Sequence, residues 1–465
     1  MSQHDLNIAN QGFPAFRADL NDALGALVSN SSGATAPTTT FAHQFWVDTS
    51  ANPSVLKQRN ADNDAWIVIG SINQTSDTFN LAVAQGGTGA ADAAGARTNL
   101  GLAIGTDVQA YSANLTTYAA TGVNFRNRII NGDMRIDQRN NGAAVTAPAG
   151  YFRDRWKTTN TNATRWNALA TSGGVTPPAG FTNYLGVQSA GAYSVVSSDT
   201  FNFSQGIEGF NVADLGFGTA NAQPITVSFW VRSSLTGTFA GSLSNSAQNR
   251  SCVFTFSINS ANTFEYKTVT VVGDTGGTWL TNNGTGLWIY FNLGNGSNFT
   301  TTPGSWQAGE FYGVSGGVNL VATNGATFYI TGVQLEAGSV ATPFERRPYG
   351  TELALCRRYY WRISATGSLP LLAFGAAASA TDLHVVGNYP VEMRSAPTLS
   401  GSAGQVQVST ASGGTSVITS FSLTATPQSY RAVFISPTAG MTTNTTPYFV
   451  RALEPGGFID FSAEL

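Results

Sequence analysis

A chain of 465 residues has room for roughly two to four domains. Only 11% of it is charged, against about a quarter in ordinary globular proteins, while 42% is hydrophobic, which excludes a disordered chain. The net charge of −3 gives no electrostatic footprint for nucleic acid, and no apolar run is long enough to cross a bilayer.

The opening Met1-Ser-Gln-His-Asp-Leu-Asn lacks the basic, apolar, cleavable pattern of a secretory signal. Residues 1–84 read as a small α/β head. Phe16, Leu20, Leu24 and Leu27 recur at helical spacing, predicting one apolar helix face. Phe41 to Asp48 and Ala65 to Gly70 read as strands flanking a turn. The alternative reading of this head is a plain oligomerisation cap.

Residues 85–125 form a Gly-rich junction and a short helical neck. The junction, Gln85-Gly-Gly-Thr-Gly-Ala-Ala-Asp, continues through alanines to Leu100-Gly-Leu. Gly86, Gly87 and Gly89 allow close backbone approach. Thr88 is the expected N-cap of a short helix that ends at Gly101. Its alanine face buries little area alone, so a multi-chain contact including Leu100 is expected. Val108, Tyr111, Leu115 and Tyr118 follow a 3,4,3 spacing. A helix that short needs packing against other helices. No P-loop lysine or dinucleotide spacing accompanies the glycines.

Residues 126–350 read as a β-sandwich and 351–465 as a smaller distal β-domain. Ile225, Val227, Phe229 and Val231 alternate with Trp230 and Arg232. Cys252 to Ile258 repeats the pattern, and Leu287 to Leu293 places Trp288, Tyr290 and Asn292 opposite its aliphatic residues. Such strands between Gly, Asn and Ser turns argue for a sandwich or jelly roll. The Arg357-Arg-Tyr-Tyr-Trp361 cluster fits interdomain packing better than a nucleic-acid patch.

No chemistry is written in the usual motifs. His4, His43 and His384 have no ligand spacing, and Cys252 and Cys356 make neither a disulfide framework nor a zinc site. Asp154, Asp214, Glu265, Asp274, Glu310 and Asp382 are available carboxylates, but nothing pairs any two across a sugar bond. No cofactor or metal is expected. Trp230, Trp288 and Tyr290 could stack on a sugar face, or could lie against a second core layer. At the tip, the loop containing Met441, Asn444 and Tyr448 is a candidate recognition surface or an ordinary turn.

Three stretches carry a family resemblance. The GGTGA…ARTNLGL junction, Asn127-Arg-Ile-Ile-Asn-Gly-Asp-Met-Arg-Ile136 and Gly332-Val-Gln-Leu-Glu-Ala-Gly-Ser to Tyr349 resemble segments of tailed-bacteriophage tail fibres. Gln44-Phe-Trp-Val-Asp-Thr resembles their small N-terminal modules. The resemblance implies a mainly β, fibrous, homotrimeric virion protein, with the head docked to other tail proteins. It further implies a jelly roll, resembling carbohydrate-binding modules, and attachment to host surface glycan or lipopolysaccharide without membrane insertion. A tailspike enzyme is the competing reading; the repetitive rungs it would show are not evident.

Overall fold

The computed structural model describes residues 3–81, 87–88, 90, 92–102, 126–364, 371–402, 404–410, 415–435, 441, 448–453 and 457–465. Gly86, Gly89, Val108, Tyr111, Leu115, Tyr118 and Asn444 lie outside them. The chain is mainly β and divides into two compact units, Met1–Leu115 and Thr116–Leu465.

In the first unit, Pro14 opens a helix over Phe13–Val28. Its buried residues are Ala23 and Ala26, whereas Phe16, Leu24 and Leu27 are exposed. Most of the predicted apolar face therefore faces outward in the single chain, with Leu20 half-buried. The sheet is a four-stranded antiparallel meander of Phe45–Asp48, Ser54–Arg59, Trp66–Asn73 and Thr78–Leu81. The two expected strands are not adjacent: Ser54–Arg59 runs between them. Lys57 and Arg59 lie over the rings of Trp46 and Trp66, so each long cationic stem covers an indole.

The junction helix spans Ala93–Asn99. Its N-cap is Asp92 rather than Thr88: the Asp92 carboxylate accepts from the Ala94 and Gly95 amides, both at 2.8 Å. Its far end closes as expected, on Gly101 at φ 71°, with the Gly101 and Leu102 amides donating back to Thr98 and Arg97 carbonyls. A left-handed residue there favours glycine. Gly87 packs where a Cβ would strike Leu81, and Leu100 is exposed.

The second unit contains a two-sheet sandwich. One antiparallel sheet has the order Glu265–Val271, Ile225–Ser233, Thr327–Ala337, Leu185–Ser189, Trp166–Ala168. The other runs Trp306–Ala308, Arg250–Ile258, Gly237–Ser244, Thr285–Asn295, Thr200–Glu208, Trp156–Asn160, Tyr151–Arg153. Alternation sends Val227 and Phe229 from the first and Phe203, Phe256 and Phe291 from the second into one core. Phe203 stacks on Phe291 at 5.3 Å, and Phe229 meets both Phe256 and Phe291 edge-on. Such ring pairs contribute about 0.5–1.5 kcal/mol each beyond area burial.

The C-terminal part, called distal after its expected place, builds its own core from Leu383, Val385, Val406, Val408, Val450 and Phe461, among others. It consists of a seven-stranded antiparallel sheet and a three-stranded sheet of Tyr360–Ser364, Phe458–Ser462 and Thr398–Gly401.

Polar groups join the two cores. The two stretches 127–136 and 332–349 meet: Asn127 Nδ2 donates to the Val333 carbonyl at 3.1 Å, and the Leu335 amide donates to Asn127 Oδ1 at 3.1 Å. Glu345 accepts from the Arg126 and Asn127 amides. Arg358 and Tyr359, at the end of the Tyr349–Arg357 helix, bond the buried Glu208 of the sandwich at 2.6 and 2.7 Å. Glu464 receives Arg139 at 2.9 Å and also pairs with Arg155, whose guanidinium lies over the Tyr359 ring. Burial raises the Asp154 carboxyl to about 7, against the hydrogen bond it accepts from Gln138.

Among the described residues, no helix is long and apolar enough to cross a membrane.

Candidate functional site

The outer face of the seven-stranded sheet holds two of the sequence-predicted aromatics. Thr285–Asn295 is central in that sheet, and nearly all of it is buried on both faces. Trp288 and Tyr290 do oppose the aliphatic core, with ring centroids 5.9 Å apart. They are not an open platform: Trp288 is 5% exposed and Tyr290 is 1% exposed. Tyr312 packs on Tyr290 at 4.8 Å, Phe299 packs on Tyr312 at 5.7 Å, and Leu465 joins the cluster. Lys157 Nζ sits 4.7 Å from the Trp288 ring. Burial pushes the Tyr290 and Tyr312 phenols well above their ordinary range, so both stay neutral. Tyr312 donates to the Glu310 carboxylate.

Trp230 belongs to the other sheet. It is half-buried and tilts against its cross-strand partner Tyr266, which is exposed, at 5.3 Å. The surface assignment of Met441 and Tyr448 fails. Met441 donates its amide to the Ala380 carbonyl and is buried in the distal core. Tyr448 opens the strand Tyr448–Ala452 and alternates inward with Val450 and Ala452.

An open, neutral cavity begins where the aromatic row ends. The strand bulges between Asn292 and Gly294, which redirects its last residues. The result is a cavity of about 200 Å³ walled by Asn292, Asn295, Asn319, Ser297, Thr300 and Ser315. Asn292 Nδ2 donates to Asn295 Oδ1 at 2.8 Å and to Asn202 Oδ1 at 3.1 Å. Asn319 Oδ1 accepts the Asn295 amide at 3.1 Å. A Cβ on Gly313 would collide with Asn295 Oδ1, so glycine lets the opposite wall approach. Asn202 Nδ2 is buried with no partner among the described residues. The cavity is smaller than the roughly 300–1,000 Å³ of sites for drug-sized ligands. Its amides and hydroxyls suit a single hydroxyl-rich ring. Sequence reading placed Asn292 beside Trp288 but missed Asn295, Asn319 and Ser315, since these meet only through the bulge and a distant loop.

The candidate carboxylates are dispersed. Asp214 pairs with Arg128, Glu265 with Lys267, and Asp274 with Arg250. Asp154 accepts from Gln138, Glu310 from Tyr312, and Asp382 from Thr381. Among the described residues, no group of three His, Cys, Asp or Glu side chains is placed to hold a metal ion. Cys252 and Cys356 are free, buried thiols, and burial raises Cys252 to about 11.

No protein-family model matches this sequence, and no curated protein matches it. Among solved structures, the enzymatically active domain of Bacteriophage CBA120 tailspike protein 4 aligns at 13% identity and a TM-score of 0.26. That alignment covers 46% of this chain and 21% of the tailspike chain, so this chain spans about a fifth of that neighbour. TmCBM61 in complex with β-1,4-galactotriose aligns at 13% identity and a TM-score of 0.22, over 46% of this chain and 99% of the module. A putative sugar binding protein from Bacteroides thetaiotaomicron aligns at 12% identity and a TM-score of 0.25, over 45% and 99%. Scores this low assign neither a family nor an activity.

Proposed function

We propose that the chain is a tail-fibre protein of a tailed bacteriophage that attaches the virion to its host by binding surface glycan, without cleaving it. The observation that carries glycan binding is the uncharged Asn/Ser/Thr cavity beside Asn292 and Asn295. Amide and hydroxyl walls exchange hydrogen bonds with sugar hydroxyls and give a charged ligand no counter-ion. The phage assignment rests on the three sequence stretches named above. In this reading residues 1–84 dock onto the tail and the chain assembles as a homotrimer. The outward Phe16, Leu24 and Leu27 supply apolar surface for those contacts. The jelly-roll sandwich and distal domain face the host, and lipopolysaccharide or capsule is the ligand class.

Ser315 is exposed in the cavity wall, so Ser315→Trp fills the space without entering the core. Calorimetric titration with neutral oligosaccharides released from the host surface should show binding to the parent chain and none to Ser315→Trp, at an unchanged melting temperature. Equal binding by both proteins refutes the site. Release of shortened oligosaccharide on incubation refutes the non-enzymatic reading.

A further inference from the structure

A second, larger cavity of about 810 Å³ shares no lining residue with the first. It lies where the 135–142 segment, the Tyr349–Arg357 helix and the three-stranded distal sheet meet. Four arginines line it: Arg135, Arg139, Arg357 and Arg362. Among the described residues of its wall the only acidic one is Asp137, whose carboxylate faces Arg153 at 3.2 Å and accepts the Asn140 and Gly142 amides.

Three of the arginines are held by this chain's own acids. Arg135 pairs with Asp133, Arg139 with Glu464, and Arg362 forms a two-pronged pair with Asp460 at 2.7 and 2.8 Å. Aromatic rings fix two of them: Arg139 lies 3.5 Å from the Tyr360 ring centroid and Arg362 lies 3.8 Å from that of Phe458. Arg357 differs. It sits in the last turn of its helix and makes no ion pair among the described residues; its Nε, like those of Arg135 and Arg139, is buried without a hydrogen bond. A guanidinium is always charged and presents a planar fork that fits a carboxylate or phosphate. Tyr349, 56% exposed, adds a flat ring to the same cavity wall.

We propose that this cavity binds an anionic saccharide, with Arg357 pairing the carboxylate or phosphate that the sugar carries and Tyr349 stacking on its ring. The arginines already paired supply a positive surrounding and hold the walls, while the free fork of Arg357 makes the specific contact. This is a charge-selective site, separate from the neutral cavity, and it stands whether or not the neutral cavity binds.

The full chain and its Ser315→Trp variant are titrated by calorimetry with glucuronic acid, glucose 1-phosphate, glucose and inorganic phosphate, at low salt and at 0.15 M, and acidic and neutral sugars are compared in the variant, where the neutral cavity is filled. At least one of the two acidic sugars should bind about tenfold or more tightly than glucose, with affinity falling as salt rises. The one that binds identifies carboxylate or phosphate as the preferred anion. Arg357→Gln should weaken that binding at least about tenfold, and Arg357→Lys should restore it only in part. Tyr349→Ala, at an exposed ring, should weaken acidic and neutral sugars alike. Ser315→Trp should leave acidic-sugar binding unchanged, so the two cavities are scored separately. The proposal is overturned if glucose binds as well as both acids, if Arg357→Gln binds as the parent does, or if inorganic phosphate binds as tightly as the sugar phosphate, which marks an adventitious ion only.

Discussion

Glu464→Ala should unlock the distal domain from the sandwich. Glu464 is 5% exposed and faces two guanidiniums, Arg139 and Arg155, of which Arg155 is 1% exposed. Arg155 also donates to the Gly206 carbonyl, and the Tyr359 ring lies 3.6 Å from its carbon. Removing the carboxylate therefore strands a buried cation that cannot turn to water. Breaking one side of such a pair costs about 3–5 kcal/mol, a large share of the roughly 5–15 kcal/mol that holds a domain folded. Urea unfolding followed by tryptophan fluorescence should show a matching fall in midpoint at unchanged slope. The double variant Glu464→Ala with Arg155→Met should regain most of that loss, since a well-filled apolar replacement has no charge to desolvate. A loss below about 1 kcal/mol for Glu464→Ala, or no recovery in the double variant, refutes the argument that the pair is a dry lock.

Trp288→Ala should cost about 3–5 kcal/mol, close to Phe291→Ala, because both rings are buried; chemical denaturation giving a change under 1 kcal/mol for Trp288 would mean its cover is open in solution. Asp154 binds its proton more tightly folded than unfolded, its folded value of about 7 standing above the ordinary 3.8. Its contribution to stability therefore falls as pH rises from about 4 to about 7. Asp154→Asn should flatten that decline in melts across the window, and an unchanged slope would assign it elsewhere. Light scattering at micromolar concentration should give the mass of three chains, and Phe16→Asp with Leu27→Asp should reduce it; a stable monomer in the parent protein counts against assembly through this surface.

Alternation made the sandwich legible. Ile225 to Val231 and Leu287 to Leu293 show their core faces residue by residue, and the structure keeps both. The same pattern could not say what lies on the other face. Trp288 and Tyr290 are covered by Tyr312 and Phe299, from the segment after their own strand, and by Leu465, beyond the last strand Phe458–Ser462. Tyr448 reads in the sequence both as the end of a polar loop and as the first residue of a strand to Arg451, and the structure takes the strand, with Tyr448, Val450 and Ala452 inward. Thr88 and Asp92 are both good caps by type, and only geometry separates them. The Arg357-Arg358 pair shows the limit most clearly. Adjacent residues on a helix point about 100° apart, so one enters the interdomain contact and its neighbour lines a cavity.

Leu465 and Glu464 close the outer face of a sandwich whose last strand, Thr327–Ala337, leaves the ribosome over a hundred residues earlier. At about 5–20 residues per second, synthesis of that interval takes on the order of 6–25 s. During it the sandwich can form its inner core while Trp288 waits for Leu465 and Arg155 for Glu464. The nascent chain thus carries a temporary hydrophobic and charged scar until residues 464 and 465 are made.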